Sequence, residues 1–116
     1  MMLRLIPTLK DYIWGGCKLK SLYGREGGEK ISESWEVSVH PDGPSKLENG
    51  GTLAQYLQGR PEAVSPKGGE LPVLIKYIDA ADNLSVQVHP CDEYARKYEN
   101  DNGKTEMWYI VQADEG

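Results

Sequence analysis

Short β-favouring runs, each closed by turn chemistry, constrain this chain more than any other feature. Glu33-Ser-Trp-Glu-Val-Ser-Val39 alternates, with Trp35, Val37 and Val39 on one face and Glu36, Ser38 and His40 on the other. That pattern predicts a half-buried strand, and His40-Pro-Asp-Gly-Pro44 ends it with turn residues. Val73-Leu-Ile-Lys-Tyr-Ile78 is a continuous apolar run, short and rich in β-branched residues, and predicts a buried strand. Leu84 to His89 is a further strand, stopped by Pro90. Thr105 to Ala113 is the last, with Glu106, Trp108 and Ile110 sharing a face. Two short helices interrupt the series. Thr52-Leu-Ala-Gln-Tyr-Leu-Gln-Gly59 has a cap in Thr52, a capping-box partner in Gln55 and a stop in Gly59. Asp92 to Glu99 makes one or two turns capped by Asp92. Residues 1–33 are punctuated by glycines and read as turns, and 60–72 read as a loop. Strands joined by turns rather than long crossover helices predict an antiparallel sandwich or barrel.

Gln87, His89 and Glu106 carry the chemistry. Residues two apart on a strand point to one side, so Gln87 and His89 share a face, together with Ser85. Glu106 lies in the next strand-like run. An amide oxygen, an imidazole and a carboxylate form a plausible ligand set for a divalent metal. Zinc takes nitrogen and oxygen donors of these kinds, and a catalytic zinc keeps a position open. Each residue also has a plainer reading. His89 stands before proline, where a histidine is often a turn residue, and Glu106 and Lys104 could be solvated surface groups. Trp35 and Trp108 read as core, and Cys91 as a small packing residue. His40, also before proline, is left unassigned.

Bulk properties narrow the field. The chain has 116 residues, enough for one domain with a real core. Thirteen Lys and Arg against eighteen Asp and Glu give a net charge of -5. That balance argues against non-specific nucleic-acid binding, which needs a basic surface. An anionic substrate would need a local basic pocket, for which Lys76, Lys104 and Arg96 are the candidates. Cys17 and Cys91 follow no metal-finger spacing, and with no signal peptide they suggest a reducing cytoplasm; sequence leaves a disulfide between them open. No apolar run reaches the ~20 residues that span a membrane. Met1-Met-Leu-Arg-Leu-Ile-Pro7 is too short and too soon broken by proline to be a secretion signal. Gly103-Lys-Thr105 is not a phosphate loop, because the first glycine of that motif would fall on Tyr98.

Asp79-Ala-Ala-Asp-Asn-Leu-Ser-Val-Gln-Val-His-Pro-Cys-Asp-Glu-Tyr-Ala95 and Gly103-Lys-Thr-Glu-Met-Trp-Tyr-Ile110 closely resemble type I mannose-6-phosphate isomerase (phosphomannose isomerase), most of all its short bacterial branch. Tyr12-Ile-Trp-Gly-Gly16 and Glu33-Ser-Trp-Glu36 resemble that family's amino-terminal motifs. The resemblance implies a cupin, or jelly-roll, fold holding one zinc ion, and interconversion of mannose 6-phosphate and fructose 6-phosphate. It implies Gln87, His89 and Glu106 as zinc ligands and Trp14 as a wall of the substrate pocket. In the family a second histidine from later in the chain completes the site, and a later arginine serves catalysis. Neither lies in these residues, so residues 1–116 are expected to be an amino-terminal part of the catalytic domain. Asp114-Glu-Gly116 likewise reads as a turn leading onward.

An aldose–ketose isomerisation moves a proton between adjacent carbons through an enediol or enediolate. A metal can polarise the carbonyl, and a base must shuttle the proton. Lys104, two residues from Glu106, is expected on the same face, where it could bind the phosphate or stabilise a developing oxyanion. Ser85 could hydrogen-bond the phosphate. The 116-residue chain by itself is expected to be inactive. The alternatives are a non-catalytic metal- or sugar-binding cupin module, and a fragment without independent function. No pattern in the sequence specifies an oligomeric state.

Overall fold

Alternation around Trp35 does produce a strand, and it is the centre of the larger sheet. The computed structural model describes residues 2–65 and 69–115, so Met1, Gly116 and part of the expected 60–72 loop lie outside the described residues. The elements in order are β1 (Leu5–Ile6), β2 (Thr8–Lys10), α1 (Lys18–Tyr23), β3 (Glu33–Val37), β4 (Lys46–Leu47), α2 (Leu53–Gln58), β5 (Ile75–Ile78) and α3 (Asp92–Tyr94). Pro61–Ala63 forms a single 3-10 turn. The chain divides into two units, Met1–Leu84 and Ser85–Gly116. This is a mainly β architecture of open antiparallel sheets with short helices, as the sequence predicts.

In the first unit the larger sheet runs β2-β3-β5, and β1 pairs separately with β4. Trp35 stands opposite Thr8 on one side and Lys76 on the other. The register shifts between Trp35 and Val37, and the strand ends at Val37 rather than Val39. The half-buried reading of this strand needs correction, because Ser34 and Ser38 on the polar side are fully buried. Arg25 closes over that side. Its Nη2 donates to both carboxylate oxygens of Glu36 at 2.9 Å, and its Nε donates to Ser34 Oγ at 3.2 Å. On the other side Glu33 is buried, with Trp35 Nε1 donating to Oε2 at 2.6 Å and Lys76 Nζ donating to Oε1 at 3.0 Å. Both oxygens are thus satisfied, as a buried charge requires.

Helix α2 forms as its sequence dictates. Thr52 Oγ1 accepts from Gln55 N at 3.2 Å, and Gln55 Oε1 accepts from Thr52 N at 2.9 Å, completing the capping box. Gly59 follows as the C-cap. Helix α1 falls in the stretch read as turns. Its first N–H, that of Lys18, donates to Asp79 Oδ2 at 2.6 Å, and Gly24 closes it in the left-handed region at φ 61°.

Three expected strands depart further. The buried strand expected over 73–78 starts at Ile75 and is an edge, bonded among the described residues to β3 alone, and the run is not buried: Val73 is 51% and Ile75 54% exposed. The runs 84–89 and 105–113 form no ladder among the described residues. A strand exists through hydrogen bonds to a neighbour, and these runs find none there. The helix over 92–99 is α-helical only to Tyr94 and π-helical over Ala95–Glu99. Its cap position is Cys91, not Asp92.

Close packing at Gly15 is testable. A Cβ there would lie 2.7 Å from Ser32 Cα. Thr52→Ala should cost about 1 kcal/mol through the lost cap. Gly15→Ala should cost more, because the atoms it strikes are backbone and side-chain root atoms that cannot swing away. Urea denaturation midpoints should fall in the order wild type, Thr52→Ala, Gly15→Ala, and a Gly15→Ala variant as stable as wild type would contradict this packing.

Candidate metal centre

The second unit brings His89 and Glu106 together by an excursion over residues 90–103. It leaves at Pro90, turns through α3 and the π-helical stretch, and reverses at Asn100, which takes the left-handed φ of 53°. Ala95, 1% exposed, is its buried centre. Asp92 sits where the excursion closes: Oδ1 accepts from Gly103 N at 2.8 Å, and Oδ2 accepts from Arg96 Nη2 at 3.2 Å. Lys104 N then donates to Pro90 O at 3.2 Å. Gly103 has no room for a side chain, since a Cβ would lie 2.4 Å from Asp92 N and 2.6 Å from the Cys91 carbonyl carbon. Asp92 therefore closes this loop instead of capping the helix, an arrangement that needs both ends of the excursion and so is invisible in a local pattern.

The result is a cluster around one carboxylate. Glu106 Oε2 lies 3.1 Å from His89 Nε2 and 2.7 Å from Lys104 Nζ. Trp108 Nε1 donates to the other oxygen, Oε1. Gln87 Nε2 donates to Ser85 Oγ at 3.4 Å. Every one of these same-run contacts is two residues apart, so the period of two holds even without a ladder. His89 and Glu106 meet, as expected. Lys104 joins them. Ser85 and Gln87 bond each other. Trp14 belongs to the first unit, where its ring lies 5.7 Å from that of Tyr12. Trp108 is not a core residue: it is 52% exposed and bonded to Glu106. That role was missed because a tryptophan on a strand reads first as packing; its spacing from Glu106 was the signal. The other basic candidates are each engaged by a carboxylate, Lys76 by Glu33 at 3.0 Å and Arg96 by Asp92 at 3.2 Å.

Among the described residues no group of three or more His, Cys, Asp or Glu is placed to hold a metal. The His89–Glu106 pair nonetheless has the right spacing for two corners of such a site. Donors at ~2.0–2.2 Å from a tetrahedral zinc lie roughly 3.3 Å from each other, close to the observed 3.1 Å between Nε2 and Oε2. Gln87, outside those four residue types, would offer its amide oxygen. Both cysteines, Cys17 and Cys91, are free and exposed.

Comparisons with known proteins identify the family. Residues 2–115 match the model of the phosphomannose isomerase type I catalytic domain. A probable mannose-6-phosphate isomerase of Bacillus subtilis is 45% identical over 114 residues, covering 92% of this chain and 36% of its own length. A mannose-6-phosphate isomerase of Streptococcus mutans is 42% identical, with 90% and 35% covered. The crystal structure of the Bacillus subtilis mannose 6-phosphate isomerase superposes with a TM-score of 0.87 at 35% identity, over 97% of this chain and 38% of that one. A mannose 6-phosphate isomerase structure bound with zinc and yttrium gives 0.68 at 30% identity, over 85% and 29%. The chain therefore belongs to the type I phosphomannose isomerase family and shares its partial cupin-like fold. It spans about a third of the length of the curated relatives it matches.

Two measurements probe the cluster. The Glu106 carboxyl is lowered from its ordinary 4.5 to about 2, first by the hydrogen bond from Lys104, with Trp108 and the charges of Lys104 and His89 adding to it and desolvation opposing. A depressed carboxyl stabilises the fold above its unfolded pKa, and the contribution fades as pH falls from 4.5 through about 2. Carboxyl-carbon NMR of Glu106 should show a midpoint near 2, and Lys104→Met should move it upward. A midpoint in the ordinary carboxylate range in the wild type would contradict the cluster. Separately, Gly103→Ala should open the loop and weaken the His89–Glu106 contact, read as loss of cross-peaks between the two side chains.

Proposed function

We propose that this chain, as a member of the type I phosphomannose isomerase family, forms the amino-terminal part of a zinc-dependent isomerase that interconverts mannose 6-phosphate and fructose 6-phosphate. The carrying observation is the approach of His89 Nε2 to Glu106 Oε2 at 3.1 Å, within a segment matched to that family. His89, Glu106 and Gln87 are the zinc ligands in this reading, one ion per chain. The fourth ligand comes from outside residues 1–116, and the proton-transfer base is a group other than these three ligands. The zinc reported in a related isomerase structure supports the same choice of metal.

Bound zinc would supply Lewis-acid polarisation of the sugar carbonyl and stabilise the charge of an enediol(ate). The chain's own residues hold and orient. Glu106 is kept ionised by its neighbours, so it presents a charged oxygen rather than a protonated one. Lys104 carries an ammonium bonded to that same oxygen. Two cations repel at one oxygen, so a cation held there would free Lys104 to meet the substrate's phosphate or the developing oxyanion. Ser85 accepts from Gln87, which fixes the amide and leaves the serine O–H to donate to the phosphate. The substrate role of Trp14 rests on the resemblance alone.

The net charge of -5 and the binding of a sugar phosphate fit neither a nucleic-acid nor a membrane partner. No described helix is long and apolar enough to cross a membrane. Two free thiols fit a reducing cytoplasm.

A chimera tests this reading. Residues 2–115 would replace the corresponding segment of the Bacillus subtilis relative. The chimera should bind one zinc and isomerise mannose 6-phosphate in a coupled assay. His89→Ala and Glu106→Ala should each lower zinc content and reduce turnover by about 100-fold or more. Full activity in either variant would overturn the ligand assignment, while a chimera that binds zinc and sugar phosphate without turnover would favour a non-catalytic module.

A further inference from the structure

We propose that Trp108 is the positioning residue of the metal centre: its indole N–H holds Oε1 of Glu106, so that Oε2 is the single oxygen presented to the cation. The inference rests on the metal reading of His89 and Glu106. It also goes beyond that reading, because it assigns different tasks to the two carboxylate oxygens.

The division is visible in the contacts. Oε2 takes both nitrogen partners of the cluster, His89 Nε2 at 3.1 Å and Lys104 Nζ at 2.7 Å. Oε1 takes the indole N–H. The terminal torsion of a glutamate is broad and nearly two-fold, so an unrestrained carboxylate would exchange its oxygens or offer both. A neutral donor on one oxygen removes that freedom. It also adds no charge that would repel an arriving cation, which distinguishes it from Lys104.

Trp108 makes its contact through the indole N–H, which donates to Oε1 of Glu106. An indole is a donor with no acceptor function, so that N–H can serve a carboxylate oxygen and nothing else in the cluster. The position follows from sequence spacing, since Lys104, Glu106 and Trp108 lie two residues apart and turn to the same side. Partners of this kind typically change metal affinity by about 10–100-fold when removed.

The test uses the chimera with the Bacillus subtilis relative, which supplies the fourth ligand, with zinc alone as the ligand, titrated against a chelator of known affinity. Trp108 is replaced by benzothienylalanine, which keeps the ring shape and loses the N–H, and in a second variant by phenylalanine. 5-Fluorotryptophan, which keeps the N–H, is the conservative control. Zinc affinity should fall about 10–100-fold for benzothienylalanine and for Trp108→Phe, and should be retained with 5-fluorotryptophan. Independently of metal, the Trp108 indole N–H resonance should lie downfield and move upfield in Glu106→Ala.

Wild-type affinity in the benzothienylalanine protein would show that Trp108 acts by shape and would overturn this inference while leaving the metal centre standing. An indole resonance indifferent to Glu106→Ala would overturn it too. If the chimera with Trp108 intact takes up no zinc, the metal reading fails and this assignment falls with it.

Discussion

Pairing on both edges of β3 is the constraint on which the first unit depends. A strand bonded to β2 on one side and β5 on the other has no free edge, and here residues of both its faces, Glu33 and Trp35 on one and Ser34 and Ser38 on the other, are buried as well. Its sequence is not apolar on both faces, so each polar group had to be matched. Glu33 is held by Trp35 and Lys76, and Glu36 and Ser34 by Arg25. Ser45 clips the end of the strand, accepting from Ser38 N at 2.9 Å and donating to Glu36 O at 3.1 Å. Among the described residues no buried side-chain nitrogen or oxygen lacks a partner. The cost of burying a glutamate without partners would exceed what one hydrogen bond returns, so these residues act as a set.

The second unit obeys a different rule. Its two β-favouring runs keep the alternation of strands but form no ladder among the described residues. Val86 and Val88 are 98% and 87% exposed, opposite in alternation to the Ser85, Gln87 and His89 side. A row of uncovered apolar side chains beside unpaired backbone is the kind of surface that pairs with further strands. That arrangement is consistent with a chain that spans about a third of its relatives.

What the sequence disclosed divides along physical lines. Helix α2 was legible because every signal it uses is local: Thr52, Gln55 and Gly59 lie within one run. Helix α1 was not, because its cap is Asp79, 61 residues away. The buried face of β3 hid in the same way, since Arg25 covers it from outside the strand. The edge status of β5 could not be read from its apolar run, because burial depends on what lies beside a strand, not on the strand alone. In the candidate centre, His89, Glu106 and Lys104 were legible from spacing of two. The closing contact of Asp92 with Gly103 was not, because its partners lie at opposite ends of an excursion.

That closing contact explains why the donor pair exists before any ligand arrives. Ion pairs between largely solvated side chains contribute on the order of 0–1 kcal/mol, and one side of the Lys104–Glu106 bridge is 49% exposed. That bridge lies within one run, and the pair that joins the two runs, His89 and Glu106, is a single contact at 3.1 Å that does not by itself draw them together. The backbone does so: Gly103 N on Asp92, Lys104 N on Pro90 O, and Ala95 buried between them. A glycine at 103 allows the two backbones to approach within what a Cβ would forbid. His89 and Glu106, each one residue or two beyond the closure, are then delivered to each other as a consequence. Their separation is set by loop geometry, so a cation binding there would find two donors already placed and would need to displace an ammonium rather than reorganise the chain.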